Sequence, residues 1–492
     1  MYTSLRSFLG LAYHDDRRAY PALLIALGLL MAALPASSFA QGFGVYEQGT
    51  CTMARAGATV ASACGDGSSL YFNPANLAGT EGFTASVGAT LIDAQGEFAY
   101  DYTNRAPYTG VEVDLQNDPI PVPHGYFTYG LTDRLGLGLG LYVPYGLETN
   151  WPTELPNGQY FDGAFEGFEN RVQAIYVQPT VAYQVTPRLR VGGGPILAIA
   201  SVQLNQIQDL SQTGIPGTPL AFGQLGVPFH TAFSRAELEG NNDLGFGANV
   251  GATFQATERL NIAARFMTPI TVSFDGEAQF TQIPTGLTVP TDLTQGGQVL
   301  LPAGTPIDGL LQTQFSGDGS LTTQGVETEL TFPFQLVGGI SFQATDKLLL
   351  LADYQFTGWS AFDEIPLEFE KLGDQTREEG YESTHAIRFG ADYDVLPQLA
   401  VRAGYLYNTS AAPDEVVTPL LPEAARNQFT VGLGWHPTET LEIGVAYQLL
   451  LQNDRRGRVR GALPGEAVTT DLNQGLYSFG ANLFGTTLTL HL

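Results

Sequence analysis

Thr132-Asp133-Arg134-Leu135 forms a predicted tight turn between two apolar runs of strand length, and similar turns recur along the chain. The others are Thr186-Pro187-Arg188-Leu189, Thr257-Glu258-Arg259-Leu260, Thr345-Asp346-Lys347-Leu348, Leu396-Pro397-Gln398-Leu399 and Thr438-Glu439-Thr440-Leu441. Between one tight turn and the next, the chain makes a long polar excursion rich in Gly, Pro, Asp and Gln. Short turns on one side and long loops on the other are typical of a bacterial outer-membrane β-barrel. The sequence therefore predicts an all-β protein that crosses a membrane and acts as a conduit.

The apolar runs on either side of the turns predict fourteen antiparallel transmembrane strands. In hairpin pairs they are 82–97 and 120–131, 134–143 and 171–185, 188–203 and 243–256, 259–274 and 322–344, 347–358 and 383–395, 398–409 and 426–437, and 440–451 and 474–492. Along 440–451, apolar side chains alternate with small or polar ones, as in a strand that faces lipid on one side and a lumen on the other. The barrel is predicted to occupy residues 82–492, with both ends on the periplasmic side.

Residues 1–40 are predicted to be a secretion signal. Arg17 and Arg18 precede an apolar stretch, residues 21–34, and Ser38-Phe39-Ala40 is a small-x-small cleavage site. The alternative is an N-terminal anchor helix, but the apolar stretch is shorter than the ~20 residues that a membrane span requires. Export to an oxidising periplasm favours a disulfide between Cys51 and Cys64, the alternative being two free buried thiols.

The amino-acid composition restricts the classes of molecule that the protein is expected to bind. The formal charge is −27 and the chain has only two lysines, Lys347 and Lys371, so nucleic acid is not expected to bind, because phosphate backbones require cationic patches. After Ala40 no run of eighteen apolar residues occurs, although 44% of all residues are hydrophobic. A barrel explains this combination because its lipid-facing residues alternate with lumen-facing ones.

The long loops are predicted at 98–119, 144–170, 204–242, 275–321, 359–382, 410–425 and 452–473. The third and fourth carry many apolar side chains. The candidates for a ligand groove are Phe222, Phe229, Phe233, Leu310, Leu311 and Phe315. They form either a loop core that shields the barrel mouth or a surface groove that captures an apolar ligand.

Residues 41–81 do not read as a strand, because they are rich in Gly and Ala and contain a turn at Asn73-Pro74. They are predicted to plug the lumen, and the alternative is a disordered periplasmic tail. The stretch Ala54-Arg55-Ala56-Gly57, then Asp66, then Asn73-Pro74-Ala75 resembles the N-terminal hatch of the FadL family (OMPP1/FadL/TodX type). Segments further along the chain resemble the same family. They are 145–151, 243–249, 265–276 and 356–360.

The resemblance implies a fourteen-stranded, monomeric barrel with a hatch at 41–81, surrounded by outer-membrane lipid. It also implies passive uptake of long-chain fatty acids or other hydrophobic molecules, which are captured by the loops, bound in the barrel and released sideways through the wall. The hatch motif would be Asn73, Pro74 and Ala75, with Arg55 and Asp66. The alternatives are a channel for aromatic hydrocarbons, or a surface adhesin or structural barrel without transport.

The family's wall opening corresponds to the predicted third strand, where Gly136, Gly138 and Gly140 lack side chains on the lumen face and Pro144 cannot donate to the ladder. The alternative is that these glycines make room for the plug. Alternation also points Arg265, Arg388 and Arg402 into the lumen, either toward a ligand carboxylate or toward acids of the hatch or wall.

Catalysis is not predicted. The histidines after residue 40 are His124, His230, His385, His436 and His491, and none belongs to a nucleophile motif. Gly65-Asp66-Gly67 and Gly317-Asp318-Gly319 are too sparse for a calcium site. The sequence therefore predicts neither a metal site nor a cofactor.

Overall fold

The computed structural model describes residues 42–101, 110–215, 218–295, 298–463 and 465–492. The predicted signal, residues 1–40, lies outside the described residues. Among the helices that the structure describes, none is long and apolar enough to cross a membrane.

Fourteen antiparallel strands, counted within the described ranges, form a closed barrel, as predicted from the turns. They are β1 Phe83–Tyr100, β2 Ile120–Thr132, β3 Leu135–Asn150, β4 Glu169–Thr186, β5 Leu189–Asp209, β6 Ala232–Thr257, β7 in two pieces (Leu260–Met267 and Ile270–Gln282), β8 in two pieces (Gln324–Phe332 and Gln335–Thr345), β9 Leu348–Thr357, β10 Thr384–Leu396, β11 Leu399–Asn408, β12 Arg426–Thr438, β13 Leu441–Gln452 and β14 Gly475–His491. Each strand pairs with its sequence neighbours, and β1 closes the barrel on β14 from Thr84↔His491 to Tyr100↔Gly475.

Several strands are longer than predicted, among them β5, which ends at Asp209 instead of residue 203, and β7, which ends at Gln282 instead of residue 274. β6 begins at Ala232 instead of residue 243, and β3 continues to Asn150 instead of ending at residue 143. The β5–β6 hairpin stays paired as far as Asp209↔Ala232, above the apolar belt. Polar residues such as Glu237 and Glu239 occupy this extension, so the hydrophobic alternation that signals a strand is weak there.

The barrel presents an apolar surface outward and a mixed surface inward. Outward-facing side chains such as Val87, Phe246 and Val431 are 54–74% exposed. On β13 the opposite face, including Glu442 and Gln448, is buried in the lumen. Because of this alternation, one face of each strand is apolar and can contact lipid although the sequence contains no continuous apolar run.

Short elements complete the fold. The α-helices are α1 Thr50–Ala54, α2 Ser69–Phe72 and α3 Ile307–Leu311, and the 3₁₀ helices are Pro74–Leu77, Asp162–Phe165, Leu210–Gln212, Phe222–Leu225, Gln312–Phe315, Trp359–Ala361 and Thr470–Leu472. Short strands in the loops are Glu112–Asp114, Leu293–Gln295, Gln298–Leu301, Glu364–Phe369, Gln375–Glu378 and Arg455–Gly457.

Residues 42–82, which we call the N-terminal segment, precede β1 and are buried along most of their length. Cys51 and Cys64 form a disulfide within the segment. Its side chains and backbone contact lumen-facing residues of many strands, as the next section describes.

Candidate functional site

A buried network of two arginines and two carboxylates joins the N-terminal segment to the barrel near the tight turns. Arg55 Nε donates to Asp392 Oδ2 (3.1 Å), and its Nη2 pairs with the same carboxylate. Arg402 Nε donates to Asp392 Oδ1 (3.2 Å), and its Nη2 lies 3.6 Å from Glu442 Oε1. All four side chains are 12% exposed or less. The network therefore fixes Arg55 to β10, β11 and β13 in surroundings where an unpaired charge is costly.

The Asn73-Pro74-Ala75 bend presses against the wall at β5 and β6. Asn73 Nδ2 donates to Thr253 Oγ1 (2.9 Å), while its Oδ1 accepts from Ala75 N (3.0 Å). A Cβ added at Gly192 would lie 2.6 Å from the Pro74 carbonyl carbon. The wall glycine is therefore required for the close approach of the bend.

Two further aspartates position the segment. Asp353 Oδ2, on β9, accepts hydrogen bonds from the backbone N–H groups of Thr59 (2.8 Å) and Val60 (2.9 Å). Asp66 Oδ1 accepts from Ser68 N (3.0 Å) and Ser68 Oγ (2.5 Å), which stabilises the turn before α2. Residues 50–78, which we call the anchored part, are thus held by ion pairs, backbone hydrogen bonds and a disulfide.

The three glycines of β3 lie within intact ladders. Gly136, Gly138 and Gly140 pair with β2 on one side and β4 on the other. A Cβ at Gly136 would overlap the carbonyl oxygen of Leu77, and one at Gly138 would lie 3.0 Å from a methyl carbon of Leu77. The first two glycines therefore make room for the N-terminal segment, and the break in the wall lies further along β3.

The wall opens between β2 and β3 above Leu141. The β2–β3 ladder ends at Gly125↔Leu141, although β2 begins at Ile120 and β3 continues to Asn150. We call the space between β2 residues 120–124 and β3 residues 142–150 the wall gap. Its upper rim is closed where Gln116 N donates to the Asn150 carbonyl (2.7 Å).

Pro144 lies at the centre of this gap. The β3–β4 ladder shifts register between Tyr142 and Tyr145, which leaves Val143 and Pro144 unpaired with β4. Proline has no backbone N–H, so it is favoured at such irregularities.

Residues 43–48 of the N-terminal segment, which we call the gap strip, bind the edge of β3 that faces the gap. Val45 N donates to Pro144 O (2.8 Å), and Gly146 N donates to Phe43 O (3.0 Å). These two bonds make an isolated antiparallel bridge centred on Gly44 and Tyr145. The gap strip therefore replaces β2 as the partner of β3.

Gln48 completes this replacement with its side chain. Its Nε2 donates to Val143 O (2.6 Å), and its Oε1 accepts from Val143 N (3.2 Å). Tyr126 Oη in turn donates to Gln48 O (2.7 Å). The amide side chain of Gln48 thus provides hydrogen-bond partners for both the N–H and the C=O of Val143, which is unpaired in the β3–β4 ladder.

A cavity of about 530 Å³ lies beside the gap strip, and we call it the wall cavity. Its apolar lining includes Val45, Ile92, Val122, Val143 and Leu147. Glu47 also lines it, and burial raises the pKa of the Glu47 carboxyl, although hydrogen bonds from Gln448 Nε2 and from Tyr46 N oppose the shift.

A second cavity, of about 600 Å³, lies among the long loops and is named the loop cavity. Of the six predicted groove residues, Phe229, Phe233 and Leu311 line it. Phe222 is fully buried in the loop core, and Leu310 and Phe315 pack against that core. The loops therefore contain both a core and a cavity with an apolar wall.

Two smaller cavities lie between the loop cavity and the wall cavity and share lining residues with their neighbours. The neck cavity, about 340 Å³, shares Gln206, Leu372 and five further lining residues with the loop cavity. The constriction, about 50 Å³, shares Leu204 and Leu420 with the neck cavity, and Phe43 and Leu421 with the wall cavity. The four cavities therefore form one series from the loops to the wall gap.

The three arginines predicted to bind a carboxylate lie outside the lining of these cavities. Arg402 belongs to the network with Asp392. Arg265 donates to Asn249 Oδ1 (3.1 Å) and Gln335 Oε1 (3.0 Å). Arg388 lies 4.0 Å above the ring of Tyr46. In the structure all three are buried against wall or segment residues.

Four other arginines line the cavities: Arg377 and Arg458 line the neck cavity, and Arg171 and Arg426 line the wall cavity. Arg458 lines the neck cavity, is 6% exposed, and its Nε and Nη1 have no hydrogen-bond partner among the described residues. Burial lowers the pKa of this guanidinium, with Glu166 as an opposing influence. The signal in the sequence was the run Arg455-Arg456-Gly457-Arg458-Val459-Arg460 in a chain that is otherwise poor in cations.

A family model described as "Outer membrane protein transport protein (OMPP1/FadL/TodX)" matches residues 31–487. The long-chain fatty acid transport protein of Escherichia coli (strain CFT073) is 23% identical over 440 residues, which cover 86% of this chain and 90% of that protein. The 47 kDa outer membrane protein of Pasteurella multocida is 26% identical over 465 residues, with 93% and 97% coverage.

Solved structures share the fold. A FadL homologue of Pseudomonas aeruginosa superposes with a TM-score of 0.72 at 20% identity, covering 92% of this chain and all of that one. The toluene transporter TodX of P. putida superposes with a TM-score of 0.65 at 17% identity, covering 92% of this chain and 99% of that one.

Proposed function

The chain belongs to the outer membrane protein transport protein family (OMPP1/FadL/TodX), and we propose that it takes up long-chain fatty acids. Members of this family are outer-membrane channels for hydrophobic compounds. The ligand binds first in the loop cavity, passes through the neck cavity and the constriction, and leaves through the wall gap into the bilayer. The route is passive. The series of cavities from the loops to the wall gap is the observation that carries this proposal.

The lining of the route suits a long aliphatic chain. Leu204, Val172, Leu147 and Leu330 are among the apolar side chains that surround the constriction. Each methylene transferred from water into such surroundings gains about 0.8 kcal/mol. The loop and wall cavities also fall within the range of roughly 300–1,000 Å³ that is usual for small-molecule sites.

We assign the carboxylate of the fatty acid to Arg458. A buried guanidinium with two unpaired N–H groups is costly, and a carboxylate that accepts from them would remove that cost. The neck cavity lies between the loop cavity and the constriction, so the headgroup would be held there while the alkyl chain extends into the apolar part of the route.

The N-terminal segment acts as the hatch. The anchored part stays in the lumen and blocks flow of water and ions, while the gap strip gives up its few hydrogen bonds to β3 and opens the wall gap. Lateral exit follows from the chemistry of the ligand, because an acyl chain is more stable in the bilayer than in the aqueous periplasm.

The test compares binding of oleate and of oleyl alcohol to purified protein in detergent, by displacement of a fluorescent fatty acid. Arg458→Met is expected to weaken oleate binding about tenfold to a hundredfold, as for a lost hydrogen bond to a charged group. Binding of the alcohol should change little. Arg456→Gln is the matched control, because Arg456 lies two residues away and is about half exposed.

Uptake by protein reconstituted into lipid vesicles separates the remaining alternatives. Oleate uptake above that of empty vesicles supports transport. Uptake of toluene without binding of oleate would instead indicate a channel for aromatic hydrocarbons. Failure to bind or transport either compound would contradict the proposal and favour an adhesin or a structural barrel.

A further inference from the structure

Among the described residues, one group of three metal-ligating side chains lies close together, and it lies at the tight-turn end of the barrel, far from the cavities. It consists of His436 near the end of β12, Glu442 at the start of β13 and His491 at the end of β14. His436 Nε2 and His491 Nε2 each lie 3.8 Å from Glu442 Oε2. All three ligating atoms lie within 4.8 Å of one another.

We propose that His436, Glu442 and His491 bind a divalent transition-metal ion, with Zn²⁺ as the best match. Two imidazoles and one carboxylate are ligands that Zn²⁺ prefers. At metal–ligand distances of 2.0–2.2 Å, tetrahedral ligand atoms lie roughly 3.3 Å apart. The two distances from Glu442, each 3.8 Å, would then shorten by about half an ångström, and the distance between the histidines, at most 4.8 Å, by at most about 1.5 Å.

The side chains are oriented for this role. Glu442 directs Oε1 toward Arg402 (3.6 Å) and Oε2 toward both histidines, so one oxygen remains for a metal ion. His491 Nδ1 lies 3.3 Å from Thr84 Oγ1, which leaves Nε2 facing the carboxylate. A hydrogen bond to the second ring nitrogen is how proteins usually orient a metal-binding histidine.

The backbone that carries the ligands is fixed. His436 N donates to Gln398 O (2.9 Å), and His491 N donates to Thr440 O (2.9 Å). Glu442 is 9% exposed, whereas the histidines are 38% and 31% exposed. A metal ion would therefore meet preformed ligands on three adjacent strands and keep a coordination position open to water.

The site also touches the N-terminal segment. A Cβ built at Gly65 would lie 3.7 Å from Glu442 Oε2 and 3.7 Å from His491 Cε1. Gly65 follows Cys64 of the disulfide. Bound metal would therefore restrain the loop that ends the disulfide-closed part of the hatch.

The experiment measures Zn²⁺ binding to full-length mature protein in detergent, without a histidine tag and after treatment with EDTA. Calorimetry is expected to give one Zn²⁺ per chain, and His436→Ala or His491→Ala should each lower the affinity at least tenfold. His385→Ala is the matched control, because His385 Nδ1 lies 2.7 Å from Tyr354 Oη, away from the site. Wild-type protein that binds no Zn²⁺, or a His436→Ala/His491→Ala variant that binds like wild type, would overturn the proposal.

Two measurements on wild-type protein keep the proposal testable if the variants fail to fold. X-ray absorption of the Zn²⁺-loaded protein should show two imidazole ligands, and a zinc shell without imidazole would contradict the assignment. Hydrogen exchange at residues 62–66 should slow by at least threefold when Zn²⁺ is added. Unchanged exchange there would contradict the contact with the hatch, whatever the outcome of the transport assays.

Discussion

The gap strip and the anchored part belong to one continuous segment, yet they are held in different ways. Residues 43–48 bind β3 through one antiparallel bridge and the amide of Gln48, beside a cavity of about 530 Å³. Residues 50–78 are held by a disulfide, by the Arg55–Asp392 pair and by wall glycines against which their backbone packs. In the proposed function, the gap strip releases the wall gap while the anchored part keeps the rest of the lumen blocked.

The largest expected loss of stability comes from breaking the Arg55–Asp392–Arg402 network. Arg55→Ala leaves a buried carboxylate without one of its partners, so the free energy of unfolding should fall by about 3–5 kcal/mol. Urea unfolding of the protein in detergent measures this. Arg171→Ala is the control, because Arg171 is 55% exposed in its pair with Glu148 and should cost at most about 1 kcal/mol. Equal losses in the two variants would show that the network does not anchor the segment.

Removal of the disulfide is expected to have the next largest effect. Cys51 and Cys64 are 13 residues apart, and closing a loop of this size contributes about 3 kcal/mol in the chain-entropy model. The Cys51→Ser/Cys64→Ser variant should unfold at lower urea while its gap strip exchanges hydrogen as in wild type. Faster exchange at residues 43–48 would contradict the separation between the two parts.

Gln48→Ala tests the gap strip itself. The substitution leaves the N–H and C=O of Val143 without their partner, which costs about 1–3 kcal/mol and should speed hydrogen exchange near residue 143 by about tenfold to a hundredfold. The control is Gln184→Ala, because Gln184 is only partly buried and lies near a tight turn, where its Nε2 donates to Pro187 O. No change in exchange at residues 43–48 and 143 would contradict the role assigned to Gln48.

The smallest expected effect is a pH dependence from Glu47. Burial raises the pKa of this carboxyl in the folded protein, so folding favours the protonated form. Its contribution to stability is present below the unfolded pKa and is lost as the pH rises through the folded pKa. Glu47→Gln, which mimics the protonated form, should therefore gain thermal stability relative to wild type as the pH rises from 4 to 8. A difference that shrinks with rising pH would contradict the assignment.

The barrel was predictable because its signals are local. Turns such as Thr132–Leu135 and the alternation along β13 depend only on neighbouring residues, so the strand number followed from the sequence. The alternation also placed Arg265, Arg388 and Arg402 inside the barrel correctly. It could not say whether each guanidinium would face a cavity or a packed neighbour, because that depends on residues far away in the chain.

The candidate site could not be predicted in the same way, because its geometry depends on strand register and on contacts between residues far apart in the chain. Gly136–Gly140 suggested the position of the gap, but both ladders of β3 stay intact there. The β2–β3 ladder ends beyond them at Leu141, and the β3–β4 ladder shifts register at Val143 and Pro144. Nothing local to Gln48 reveals that it pairs with Val143, 95 residues away. Arg458 stood within a visible run of arginines, but only the fold shows which member of the run is buried beside a cavity.

In the proposed function, the gap strip must leave the wall gap before the ligand can exit. Val45 and Val122 lie with Val143 in one buried apolar cluster, so Val45→Cys/Val122→Cys is the variant designed to tie the strip to β2. Oleate uptake into vesicles is measured before and after reduction of this cross-link, and mass spectrometry checks that the cross-link has formed. Wild type and the two single-cysteine variants are treated identically as controls. We predict that the cross-linked protein takes up oleate at least tenfold more slowly than the reduced protein, and that reduction restores the uptake rate. Unchanged uptake by fully cross-linked protein would contradict it.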